Sequence, residues 1–128
     1  MAAELSRHLV AGLRPPSGAY VHAVVHGGLV YCSGQVGVDP ASGAVADGVG
    51  PQTRQALANL EAVLAAVGSD LSRVVKATVY IRDAEMFTRM DAVFADAFGS
   101  ARTARTTIPG VNFRAGVDVE IDLVAAVG

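Results

Sequence analysis

Hydrophobic and polar positions change period several times along this chain, and each change marks an element. Between Ser72 and Arg82 they alternate. Val75, Ala77, Val79 and Ile81 fall on one side and Lys76, Thr78, Tyr80 and Arg82 on the other, the period of a strand with one buried face. Val117 to Val124 alternates in the same way, with Val119, Ile121 and Leu123 opposite Asp118, Glu120 and Asp122. From Pro51 to Val67 the apolar residues Leu57, Leu60, Val63, Leu64 and Val67 recur at helical spacing. Pro51 suits a first helical position and Gly68 a C-terminal cap. A second helix is expected from about Ala84 to Phe98, with the stripe Phe87, Met90, Phe94 and Ala97, Asp83 as N-cap and Gly99 as terminator.

Shorter signals fill the rest. Tyr20 to Val25 and Leu29 to Ser33 read as strands joined through His26-Gly27-Gly28, a hairpin whose glycines permit positive φ. Asp39 to Gly43 is a turn, and a short strand over Ala44 to Ala46 is expected after it. Thr103 to Ile108 is a short strand stopped by Pro109-Gly110. The order β-β-(β)-α-β-α-β-β suggests one sheet with both helices on one face. Its other face would carry Lys76, Thr78, Tyr80, Glu120 and Arg105. Bulk water explains such a face, and so does an assembly in which several sheets close around polar pockets.

Composition narrows the class. The 128 residues fit one domain, 1–128, of which 1–18 is an N-terminal segment and entry loop broken by Pro15, Pro16, Gly12 and Gly18. Hydrophobic residues reach 52% and charged residues only 17%, too apolar a mixture for disorder. With 10 basic and 12 acidic residues the net charge is −2, and the basic residues are scattered, which argues against nucleic acid. The single Cys32 permits no internal disulfide or cysteine-based zinc site, and its flanks read as a buried strand. His22 and His26 lie in a strand-like run without partner cysteines, so no metal is expected. Lacking a targeting segment or a membrane-length apolar run, the chain is expected in the cytoplasm, off the membrane.

No P-loop, dinucleotide fingerprint or serine triad context is present, and no cofactor is expected. What remains is a pair of charges on neighbouring predicted strands. Arg105 lies between small residues in Thr103-Ala104-Arg105-Thr106-Thr107, so its guanidinium is reachable, and its planar fork matches a carboxylate bidentately. Glu120 lies on the polar side of the last strand. An ordinary cross-strand ion pair is the commoner explanation of such a pair.

Several motifs together resemble a known family. Tyr20-Val21-His22-Ala23, Val30-Tyr31-Cys32-Ser33-Gly34-Gln35 followed by Asp39-Pro40-Ala41-Ser42-Gly43, Gln52-Thr53-Arg54-Gln55-Ala56-Leu57-Ala58-Asn59, Val74-Val75-Lys76-Ala77-Thr78-Val79, Ala104-Arg105-Thr106 and Val119-Glu120-Ile121 match, in order and spacing, stretches of the Rid (YjgF-type) proteins. The resemblance spans about Tyr20 to Ala125. It implies a chorismate-mutase-like α+β domain, a homotrimer with active sites in the clefts between subunits, and hydrolysis of small-molecule enamines and imines such as 2-aminoacrylate to 2-oxoacids and ammonia. It further implies that Arg105 binds the substrate carboxylate, Glu120 positions the attacking water, Tyr20 lines the cleft, and Ser33, Gly34 and Thr107 contact substrate.

The sequence also departs from that pattern. Thr103 replaces a usual Pro, Thr107 a Cys or Val, Asp91 an Asn, His22 a Gln, and Phe113-Arg114 a Leu-Pro pair. Arg114 and Asp91 bear on the shape and charge of the cleft. Two other functions fit the same fold: a non-catalytic binder of small carboxylates, and a biosynthetic imine hydrolase with a larger substrate. RNA cleavage, claimed for some relatives, is opposed by the acidic balance.

Overall fold

The computed structural model describes residues 4–128. Its strands are β1 (Ser6–His8), β2 (Ala23–His26), β3 (Leu29–Val36), β4 (Val74–Ile81), β5 (Ala104–Ile108) and β6 (Val119–Ala126). Helix α1 (Val49–Ala66) connects β3 to β4, and α2 (Phe87–Phe98) connects β4 to β5. The sheet order is β1-β2-β3-β6-β4-β5. Every neighbouring pair is antiparallel except β4 and β5, which run parallel. The last strand, β6, therefore sits between β3 and β4.

Each element follows from its local chemistry. The β2–β3 hairpin closes on His26 opposite Leu29, with Gly27 and Gly28 at φ 61° and 81°. A two-residue turn of that hand needs positive φ at both positions, which side chains resist. Helix α1 ends where the Gly68 N–H bonds the Ala65 carbonyl and the Ser69 N–H that of Leu64. The core lies between the helices and one face of the sheet. Leu57, Leu60 and Leu64 of α1 and Met90, Phe94 and Phe98 of α2 meet Ala77, Val79, Ile81, Val119, Ile121 and Leu123, all buried. Each large side chain so buried contributes about 1.5–3 kcal/mol before chain entropy is counted.

Several expectations are corrected. The segment before Gly12 holds an unforeseen strand, β1, on the edge of the sheet. Ala44 to Ala46 forms no strand, only an isolated bridge between Val38 and Val45. Val75 does not face the helices: a register shift between Val74 and Lys76 buries Val74 and leaves Val75 48% exposed. The second helix begins at Phe87, because Asp83 caps a separate 3-10 turn over Ala84–Met86. Phe98, not Ala97, completes the buried stripe of α2.

The resembling glutamine and asparagine of α1 are structural. The amide nitrogen of Gln52 donates to the carbonyls of Ala46 and Gly116, and its oxygen accepts from the Asp118 N–H at 2.8 Å. Asn59 donates to the carbonyl of Val38 at 2.9 Å. Together they tie the end of β3 and the approach to β6 onto one helix. Gly37 permits that approach, since a Cβ there would stand 2.5 Å from the Gln52 Cα. Gln52→Ala leaves one buried N–H and two carbonyls without partners. We expect about 2–4 kcal/mol lower stability, read as a lower urea midpoint with unchanged slope.

Candidate functional site

A cleft of about 590 Å³ opens at the polar face of the sheet, beside the irregular end of β3 and the start of β6. Tyr20, Gly34 and Glu120 line it, along with Arg14, His22 and Arg114. Glu120 is the second residue of β6, between the buried Val119 and Ile121, so alternation turns it away from the core. Its carboxyl group lies against Gly34, where a Cβ would come within 2.7 Å of Oε2. A glycine is required there to keep the carboxyl in place. Tyr20 lies in the loop before β2, half exposed, with its hydroxyl 3.4 Å from the Ser17 backbone and side chain. The Ser33 hydroxyl donates to the Val21 carbonyl at 2.6 Å. It is thus engaged in holding the Tyr20 loop.

The electrostatics of this face are distinctive. Burial, then repulsion from the Asp122 carboxylate, holds the Glu120 carboxyl above the usual glutamate range. The Tyr80 hydroxyl donates to Asp122 at 3.0 Å, and that bond chiefly raises its own ionisation above the ordinary tyrosine range. Cys32 is buried, and desolvation pushes its thiol up to about 12, so it is no nucleophile. Among the described residues, no three His, Cys, Asp or Glu side chains are grouped to hold a metal ion.

Arg105 is not where the alternation pattern suggested. It was expected on the polar face with Glu120, but it pairs in register with Ala77 and points to the helix side. Its Nη1 donates to Asp91 of α2 at 2.7 Å, and its guanidinium carbon sits 4.7 Å from the Phe94 ring centre and 5.5 Å from that of Phe87. Thr107, in register with Val79, shares that side. Strand β4 separates β5 from β6, so Arg105 and Glu120 lie two strand spacings apart across the sheet, about 10 Å, a further three residues apart along it, and on opposite faces. Within one chain the predicted residues form two groups: Tyr20, Ser33, Gly34 and Glu120 by the cleft, and Arg105 and Thr107 on the sheet edge. Thr103, just before β5, has the one buried side-chain oxygen without a partner among the described residues.

Sequence reasoning missed two members of the cleft. Buried His22 accepts the Val10 N–H at Nδ1, 2.8 Å, and bonds the Arg14 carbonyl through Nε2, 2.9 Å. It thereby fixes the entry loop that carries Arg14. The available signals were the place of His22 within the motif that begins at Tyr20 and the contiguity of the entry loop with that motif.

An open mixed sheet, two helices on one face and a half-buried acid in a cleft beside the central strand define a class of small α+β domains. The chain belongs to the endoribonuclease L-PSP family, the Rid or YjgF-type proteins, whose family profile matches residues 12–127. A 2-iminobutanoate/2-iminopropanoate deaminase of Bos taurus is 37% identical over 127 residues, 97% of this chain and 93% of the relative. The crystal structure of the Escherichia coli YjgF product superposes with TM-score 0.87 at 30% identity, covering 94% of this chain and 98% of that one. Escherichia coli TdcF with bound serine superposes with TM-score 0.87 at 26% identity, covering 95% and 100%. No helix of the described residues is long and apolar enough to cross a membrane.

The raised Glu120 has a consequence for stability. Between the ordinary glutamate value and its elevated one, the folded chain binds more protons than the unfolded chain, so stability falls as pH rises through that window. Glu120→Gln removes the cost of burying the charge. Urea titrations should find it more stable than wild type at pH 7, with the gap closing below the ordinary glutamate range. A gap independent of pH contradicts the assignment.

Proposed function

We propose that this chain hydrolyses small imines of amino acids, of the 2-iminopropanoate and 2-iminobutanoate type, to 2-oxoacids and ammonia. The observation that carries the reading is the Glu120 carboxyl, kept beside Gly34 in a cleft walled by Tyr20. The bovine relative's name and the serine bound by TdcF support the same substrate class.

In the reaction, water adds to the imine carbon to give a carbinolamine; the C–N bond then breaks and ammonia leaves. Ionised Glu120 takes a proton from the attacking water and passes it to the imine nitrogen, then carries the carbinolamine hydroxyl proton to the same nitrogen as the C=O bond forms, a role suited to a carboxyl that holds its proton closer to neutrality than an ordinary glutamate. Arg105 grips the substrate carboxylate. Its Nη1 is engaged by Asp91, and among the described residues its other N–H groups have no hydrogen-bond partner and can make that contact. Orientation by two such groups accounts for the catalysis without further chemistry.

One chain cannot bring its own Arg105 and Glu120 to one ligand, because the sheet lies between them. A second copy can, with its β5 edge laid over the cleft. We therefore propose that the protein works as the homotrimer its family resemblance implies, each site combining Arg105 and Thr107 of one copy with Tyr20, Gly34 and Glu120 of the next. The polar sheet face, bearing Lys76, Tyr80 and Asp122, would then be covered by assembly. Cytoplasmic residence is part of the same reading.

The test is ammonia release from 2-iminopropanoate generated in situ. Arg105→Ala and Glu120→Gln should each lower kcat/KM about a hundredfold or more. When the two inactive variants are unfolded together and reassembled, random mixing gives about a quarter of the sites both intact groups, so about a quarter of wild-type activity should return. No recovery excludes a shared site. Asp91→Asn removes an opposing charge from Arg105, and KM for 2-iminopropanoate should fall about threefold or more. An unchanged KM rules out Asp91 as a modulator of the grip.

A further inference from the structure

The cleft beside Glu120 holds more positive charge than a small imino acid needs. Arg14 and Arg114 both line it, both are exposed, and neither has a salt-bridge partner among the described residues. Glu120 is the only acidic residue in its lining, on a chain of net charge −2. Arg82 pairs with Asp118 and Arg105 with Asp91, while the other arginines, like Arg14 and Arg114, have no salt-bridge partner among the described residues; what sets these two apart is that they share one cleft.

Both cations are presented by fixed backbone. The Arg14 carbonyl is held by buried His22, and its guanidinium lies against Gly43, a turn residue at φ +76° whose missing side chain leaves the room. Arg114 sits in the turn closed by the Val117 N–H on its carbonyl, 3.2 Å. Two anchored loops from distant parts of the sequence thus place guanidinium groups around one cavity. Planar guanidinium forks are suited to carboxylates.

We propose that the cleft selects imino acids carrying a second carboxylate at the far end of the side chain, gripped by Arg14 and Arg114. This rests on the imine-hydrolase reading and names its substrate class. The α-carboxylate goes to Arg105 of the neighbouring copy, the imine carbon lies by Glu120, and the distal acid lies between the two cleft arginines. A monoacid of equal length leaves those two groups to water and forgoes their contribution.

Two matched pairs test it with the intact protein. Succinate against butanoate measures binding by calorimetry at constant ionic strength. 2-Iminosuccinate against 2-iminobutanoate, each generated in situ by an oxidase, measures turnover. The wild type should favour the diacid of each pair about tenfold or more. Arg14→Gln/Arg114→Gln, both changes at exposed positions, should collapse that ratio to about one or two. A wild-type ratio near one, or a ratio the double variant leaves unchanged, overturns the proposal. The two readings separate cleanly. Turnover of 2-iminobutanoate with no preference for succinate leaves the hydrolase and removes the acid subsite. Preference for succinate with no turnover of either imine leaves the acid subsite and removes the hydrolase.

Discussion

Strand β6 comes last in the chain, yet β3 and β4 each take it as a neighbour. The backbone of both strands stays incompletely paired until the C-terminal segment arrives, and an unpaired strand is costly wherever water is excluded. The alternation of β6 then fixes which side is core. Val119, Ile121 and Leu123 complete the layer under the helices, and Glu120 and Asp122 are committed to the opposite face. A one-residue slip would exchange these sets and bury two carboxylates against α1 and α2. The same register that makes the core therefore places the acid of the cleft, so stability and chemistry are not separable in this strand.

What could be read from the residues divides along physical lines. The helices and the central strands declare themselves because one face of each is fully buried, and burial imposes a clean period. The hairpin is legible because only glycine tolerates two successive positive φ angles. β1 is not legible: three residues, Ser6–His8, pair on an edge and bury almost nothing, so no pattern is imposed. Val75 misled because the bulge between Val74 and Lys76 breaks the period within the strand. Arg105 was placed on the wrong face for a related reason. Strand β5 pairs on one side only, and its residues, small on both sides of the arginine, carry no hydrophobic alternation. Its orientation is set by pairing with β4 and by Phe94 and Asp91, contacts that sequence spacing does not reveal.

The polar groups sort into those that hold the frame and those left available. Gln52, Asn59 and Asp118 are buried and satisfied within the chain, which is the usual condition for polar groups in a core. They fasten the loop after β3 to the approach to β6. Because Gly34 and Glu120 lie on those two strands, this network also helps keep Gly34 against the Glu120 carboxyl. Residues of the resembling motifs are thus needed at the site without touching a ligand.

The charges around the site follow a consistent division. Asp91 tempers Arg105, the cation nearest the proposed reacting end of the substrate, while Arg14 and Arg114 keep their charge unopposed at the other side of the cleft. Weakening the grip at the reacting end lowers affinity for any small acid equally. Strengthening it at the far end raises affinity only for molecules that reach there. Binding energy gathered from a remote group can be spent on orienting a reacting centre. In this fold the two loops that carry the remote cations lie outside the strands, anchored through the Arg14 carbonyl to His22 and the Arg114 carbonyl to the Val117 N–H. Side chains there can change without disturbing β6, whereas Glu120, held by register and by the absence of a side chain at Gly34, cannot.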